Sequence, residues 1–187
     1  IFAIIYDMVD DDDKRELMDS VLYNYDIEPI TTPYMLFYEL EADCQMGYQN
    51  RVMPYLEGYW GGMLDEGATS FWEKFNPADE GAEHLAMYGR PYGKSLCHAW
   101  GASPIYLIGK YFLGVRPTKP GYEEYEVRPA LGNLKRMQGS VPTPFGEVNV
   151  KMDDHTITVK SDGGRGKLFI GGKEYEIPVN KEIKIEY

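Results

Sequence analysis

The 187-residue sequence has little cysteine, little histidine and little positive charge. Its two cysteines, Cys44 and Cys97, are too few and too far apart for a disulfide framework or a zinc spacing. Both fall in segments that read as helical and are expected to be buried thiols, since unbridged cysteine is among the most buried residue types. The three histidines, His84, His98 and His155, show no His-Glu-x-x-His spacing, so neither a metal nor another cofactor is expected. There is no P-loop, no dinucleotide glycine fingerprint and no serine elbow. The glycines of GGRG (Gly163–Gly166) sit in an expected hairpin turn and open no helix, which excludes a phosphate loop. Lys and Arg total 19 against 30 Asp and Glu, a net charge of −11. Nucleic-acid binding needs clustered cations and is excluded. An acidic surface also disfavours anionic membranes and polyanionic substrates, leaving a neutral ligand such as a sugar. No apolar run reaches the ~18 residues of a membrane span. The opening IFAIIYDMVDDDD has no initiator Met, no basic n-region and no cleavage site. The expectation is a chain that begins inside a larger protein, with cytoplasmic, periplasmic and secreted locations all open.

What is present divides into two halves. Apolar residues make up 43% and charged residues 26%, the balance of a soluble globular chain long enough for one large or two small domains. Up to about Leu113 the pattern is helical. Asp10–Tyr25 opens with acids that suit a helix dipole and spaces Leu17, Val21, Leu22 and Tyr25 at three to four. Thr32-Pro33 reads as a cap and a first-turn proline. The following YMLFYELEADCQM alternates like a strand, but Leu, Met, Glu, Ala and Gln favour helix. A third helix is expected over Gln49–Leu64, with Val52, Leu56, Trp60 and Met63 on one face and Pro54 as a kink. Asp65–Gly93 reads as a long loop, and loops of this length are usually functional or disordered. A fourth helix is expected from Ser95 to Leu113, interrupted at Pro104 and stopped by Gly114. Beyond Gly114, short alternating segments (YEEYEVRP, GEVNVKMDD, HTITVKSDGG, GKLFIGG, KEYEIPVN, KEIKIEY) separated by turn signals predict an antiparallel sandwich.

The long loop raises one chemical question: whether Glu73, directly after Trp72, is a catalytic carboxylate or a solvated charge. Glycoside hydrolysis needs two carboxylates, and an aromatic neighbour offers an apolar face to a sugar. Taken alone, such a pair is more often structural. Asp65, Glu66, Asp79, Glu80 and Glu83 crowd the same loop, and any of them is a candidate second carboxylate. His98 and Trp100 are expected on the first turns of the fourth helix, about 200° apart and so unable to share one face. His98 alone reads as a core histidine, His84 as a loop residue and His155 as a turn residue.

Four segments together carry a resemblance. TTPYMLFYELEA (Thr31–Ala42), YWGGMLDEGATSFWE (Tyr59–Glu73), SLCHAWGASPIYLI (Ser95–Ile108) and LGVRPTKPGYEEYEVRP (Leu113–Pro129) follow one another as they do near the C-terminus of α-L-rhamnosidases, glycoside hydrolase family 78. The resemblance covers roughly residues 2–146. It implies a mixed fold: the C-terminal portion of an all-α (α/α)6 six-hairpin barrel over residues 1–115, then an antiparallel β-sandwich over 116–187. It implies hydrolysis of terminal α-L-rhamnose with inversion and without a metal, on a rhamnose-containing carbohydrate. Glu73 matches the family's general base and His98 a histidine that contacts the sugar. Trp72 and Trp100 match aromatic positions that line or support the site. The family's general acid lies in an upstream Asp-x-x-x-x-Asp-Glu-Arg motif that this sequence lacks. An isolated chain is therefore expected to be inactive, and its exposed barrel faces to drive self-association. Two alternatives stay open: another six-hairpin enzyme, trehalase-like or uronate-acting, and a non-catalytic carbohydrate-binding piece.

Overall fold

The structure, a computed structural model, describes residues 1–187. The chain forms two compact units, Ile1–Pro104 and Ile105–Tyr187.

In the first unit a short α1 (Phe2–Ile5) precedes α2 (Asp11–Leu17). Asp10 caps α2 by accepting from the backbone N–H groups of Asp12 and Asp13, and Asp11–Asp13 place negative charge on the first turn. Lys14 reaches back to Asp7 and Asp11. The helix then widens into a π turn, Met18–Leu22, and stops short of the expected Tyr25. Ile4, Met18 and Ala42 form a small core there, flanked by Leu17, Leu22 and Tyr48. Helix α3 (Pro33–Gln45) has Thr32 at its N-cap and Pro33 in the first turn. Helix propensity thus prevails over the alternating pattern, burying Leu36, Leu40, Ala42 and Cys44. Helix α4 (Gln49–Leu56) contains Pro54, passes through a π turn (Glu57–Gly61) and ends in α5 (Gly62–Asp65). Val52, Leu56, Trp60 and Met63 are all buried, so the expected apolar face survives the change of pitch.

The expected all-α portion of an (α/α)6 barrel does not form. The helical part is limited to a few short elements, with α3 (13 residues) and the continuous run Gln49–Asp65 the longest. The helix predicted over 49–64 does form, continuous from Gln49 to Asp65 with helical backbone angles at every junction, and the segment with Pro54, Gly58, Gly61 and Gly62 widens to a π turn rather than breaking. Residues 66–98 contribute a single 3₁₀ turn, Gly81–Leu85, closed by a reciprocal cap between Glu80 and Glu83. The fourth helix starts as α6 at Ser103 rather than at Ser95, because Ser95–His98 is held extended by backbone pairing with residues 71–73. Its thiol neighbour is also corrected: Cys44 is buried but Cys97 is exposed.

The architecture that the chain completes is the sandwich in the second unit. The π turn Ile108–Phe112 leads through Gly114, at φ 78°, into eight strands. These are β1 (Val115–Pro117), β2 (Glu124–Val127), β3 (Arg136–Thr143), β4 (Gly146–Asp153), β5 (Thr156–Ser161), β6 (Arg165–Ile170), β7 (Lys173–Ile177) and β8 (Glu182–Glu186). One sheet has the order β1-β2-β6-β7, the other β3-β4-β5-β8. All pairings are antiparallel except β2 with β6, which run parallel from Glu124 opposite Arg165 to Val127 opposite Leu168. Alternate residues turn inward. Val115, Tyr125, Val127, Leu168 and Ile177 of the first sheet share one core with Val148, Val150, Met152, Ile157 and Val159 of the second. Leu113 joins this core and touches the space above Gly139, so the turns after Pro104 belong to the sandwich rather than ending at the 115–116 boundary read from sequence.

Two glycine turns behave differently. Gly171-Gly172, at φ 58° and 73°, closes the β6–β7 hairpin as expected. The segment around Gly163–Gly166 is not a hairpin: it carries the chain from β5 in one sheet to β6 in the other. Gly166 sits against the Tyr125 ring, and a Cβ there would lie 2.3 Å from Tyr125 Cζ. Gly166→Ala should therefore displace a fully buried ring and destabilise the second unit by about 1–3 kcal/mol, read as a lower denaturation midpoint. An unchanged midpoint would show that the Tyr125 pocket has slack.

Candidate functional site

The site begins with two non-helical segments of the first unit joined by backbone hydrogen bonds. The Glu73 N–H donates to the Ser95 carbonyl at 2.9 Å, and the His98 N–H to the Phe71 carbonyl at 2.8 Å. Ser70 Oγ donates to the Leu96 carbonyl. Successive side chains of an extended chain point to opposite sides, and Trp72 and Glu73 accordingly have different neighbours. Trp72 is buried with Phe75 and His84. It lines a cleft of about 280 Å³ together with Glu66, Thr69, Ser70, His84 and Leu96. Glu73 meets Tyr88, Ser95 and His98 instead.

The Glu73 carboxylate is 5% exposed and held at both oxygens. Tyr88 donates its hydroxyl to Oε1 at 2.5 Å, and the Ser95 N–H donates to Oε2 at 3.0 Å. His98 Nδ1 lies 3.9 Å from Oε2. The Tyr88 hydrogen bond, then the Ser95 N–H, hold the carboxyl below its ordinary pKa, with smaller help from His98 and Lys94. Loss of hydration opposes this and is outweighed by the two hydrogen bonds. Tyr88 is correspondingly pushed up, chiefly by its bond to Glu73.

His98 and Trp100 do come together, contrary to the helical reading. His98 has extended backbone angles (φ −126°, ψ 114°) just before a 3₁₀ turn, Ala99–Gly101. With no helix to separate them, the two rings lie 4.3 Å apart. The Trp100 indole N–H donates to the Glu73 carbonyl at 3.0 Å, and its ring stacks on Tyr34 of α3 at 5.6 Å. Trp60 donates its own indole N–H to the Gly101 carbonyl at 2.7 Å. A Cβ on Gly101 would come within 2.9 Å of Phe71 and of the Trp72 carbonyl, so glycine permits this close approach. Two indoles from different elements thus fix the backbone that carries Glu73 and His98.

The other acids of the loop have separate employment. Glu66 lies 3.7 Å from His84 Nε2, Asp79 accepts from Asn76, and Glu80 and Glu83 cap the 3₁₀ turn. Asp65 is exposed, and His155 sits in the β4–β5 turn. No group of three or more His, Cys, Asp or Glu side chains gathers as a metal site. Sequence reading missed Tyr88, Ser95 and Tyr34. Tyr88-Gly89 forms a two-residue turn with both φ angles positive (55° and 72°), closed by Met87 and Arg90. A tyrosine in that position gives no usual turn signal. Ser95 acts through its backbone and leaves no side-chain signature. Tyr34 lay in a quoted segment but in a helix assigned to packing.

Parts of the chain are similar to known proteins. Residues 114–160 match the family described as bacterial alpha-L-rhamnosidase C-terminal domain. No curated protein sequence matches. A solved GH78 family rhamnosidase of Bacillus sp. GL1 is 29% identical at a TM-score of 0.53, over 70% of this chain and 13% of its own. An alpha-L-rhamnosidase from Dictyoglumus thermophilum is 21% identical at 0.65, over 89% of this chain and 19% of its own. One from Streptomyces avermitilis, solved with L-rhamnose, is 18% identical at 0.58, over 70% and 13%. The latter two likenesses are of fold alone, and the chain spans less than a fifth of each of these structures. Residues 114–160 are thus similar to the C-terminal domain of bacterial alpha-L-rhamnosidases, and the chain as a whole is similar to the C-terminal part of a solved GH78 family rhamnosidase.

Proposed function

We propose that this chain contributes the water-activating side of an inverting α-L-rhamnosidase, with Glu73 as general base. The observation that carries this reading is a shielded carboxylate held ionised by one donor on each oxygen, with a half-exposed imidazole 3.9 Å from Oε2. A general base must be deprotonated at working pH and must keep a lone pair free for the incoming proton. Glu73 meets both conditions, since each oxygen accepts a single bond from the protein. It takes a proton from water as the water oxygen attacks the anomeric carbon. The glycosidic oxygen leaves with a proton from an acid that the rest of the enzyme supplies, and inversion requires the two carboxyl groups to stand about 6.5–9.5 Å apart. His98 is suited to hold a rhamnose hydroxyl. Trp100, tied to the Glu73 carbonyl and packed on His98 and Tyr34, acts as the support of that histidine. Trp72, packed with Phe75 and His84, backs the carboxylate through the chain and not through direct contact.

In the complete enzyme, Glu73→Gln should lower turnover of an aryl α-L-rhamnoside by about 10²–10⁴-fold while rhamnose still binds. Undiminished turnover would remove Glu73 from the chemistry. The sign of the pH dependence follows from the depressed pKa: activity is retained where Glu73 is ionised and falls as pH drops through its folded value, so the acid limb should lie below that of an unperturbed glutamate. The purified 187-residue chain should release no rhamnose, because one carboxylate cannot serve both faces of the sugar; release by chain free of complete enzyme would contradict this.

A further inference from the structure

We infer that Tyr88 is a positioning residue for Glu73: its phenol anchors Oε1 so that Oε2 is the oxygen presented to the attacking water. The inference rests on the reading of Glu73 as base and adds to it which oxygen reacts and what holds it.

Three observations carry it. First, the Tyr88 ring is 70% exposed, so burial of the ring does not explain where it sits. Its hydroxyl nevertheless lies 2.5 Å from Glu73 Oε1. Second, Tyr88 occupies a left-handed backbone position, φ 55°, in a turn that glycine or asparagine would fill more cheaply. For a bulky residue this conformation is strained, and strain of this kind collects at functional sites. The turn itself is held independently, by paired hydrogen bonds between Met87 and Arg90 and by Gly93, which packs so closely under the Met87 carbonyl that a Cβ would lie 2.2 Å from its oxygen. Third, the two donors act on different oxygens. Ser95 fixes Oε2 through a backbone N–H that cannot rotate, and Tyr88 fixes Oε1, so together they set the plane of the carboxylate. Oε1 then faces the tyrosine, and Oε2 is the oxygen nearer the imidazole, 3.9 Å from His98 Nδ1.

The step balances simply. The water O–H bond breaks, an O–H bond forms at Oε2, and the carboxylate becomes a neutral acid. Tyr88 keeps its own proton throughout and moves no charge. Its bond is strongest to the ionised carboxylate, so it holds Glu73 deprotonated in mildly acidic solution.

Tyr88→Phe keeps the ring and removes the hydroxyl. In the complete enzyme it should move the acid limb of the kcat/KM profile upward, with a loss of roughly tenfold at the acid end that narrows toward neutral pH. A purely structural role would lower kcat/KM equally at every pH. In the 187-residue chain, ¹³C NMR of the Glu73 carboxyl should titrate at higher pH in Tyr88→Phe than in the unsubstituted chain. An acid limb and a carboxyl titration that both stay where they were would overturn the proposal. Glu73→Gln, assayed beside it, separates the two ideas. Retained turnover there overturns the base assignment, whereas an unmoved titration in Tyr88→Phe overturns only the role of the tyrosine.

Discussion

Everything at the candidate site depends on a few backbone hydrogen bonds between residues 70–73 and 95–98. They decide which side of the chain each residue faces. Glu73 is turned toward Tyr88 and His98 because the Glu73 N–H and Ser95 carbonyl fix the register; a slip by one residue would exchange Glu73 with Trp72. The two indole bonds, Trp60 to Gly101 and Trp100 to the Glu73 carbonyl, lock that register from outside the pair. Catalytic geometry is often credited to side chains, yet here the side chains inherit their positions from main-chain pairing and from tryptophans that bond to carbonyls.

Much of this was legible in the sequence, and the exceptions have physical causes. Helix α3 was readable through its unusual alternation because Thr32-Pro33 marked its start and its residue types favour helix. The apolar face of Val52, Leu56, Trp60 and Met63 was readable and holds through the π turn, whereas the barrel portion implied by the resemblance does not form from the few short helices present. Strand alternation gave the sandwich, whereas the parallel neighbours β2 and β6 are a non-local choice that no local pattern encodes. At the candidate site, Glu73 and His98 were singled out through motif resemblance. Their proximity was not, because Ser95–His98 was assigned a helical period that backbone pairing with residues 71–73 overrides. Tyr88 stayed hidden for a simpler reason: its contribution is a hydroxyl delivered from a strained turn, and nothing in the residue type announces that position.

The split between Trp72 and Glu73 changes the meaning of their adjacency. In sequence the pair looks like one functional unit, an acid beside its aromatic platform. In the fold the tryptophan is an anchor, wedged with Phe75 and His84, and the acid is what the anchor holds out. His84 contributes to this packing with its Nδ1 buried and without a hydrogen-bond partner, a cost accepted on the anchoring side and not at the carboxylate.

The parallel register of β2 with β6 also constrains the order of assembly. Glu124 meets Arg165 only after the chain has run through β3, β4 and β5, which make up most of the other sheet. The first sheet can be stitched across its middle only when that long excursion has closed, and closing it brings an entropic penalty that local hairpins avoid. The β3–β4–β5 meander is therefore the natural nucleus of the second unit, and β1–β2 is a flap that waits for β6 to dock.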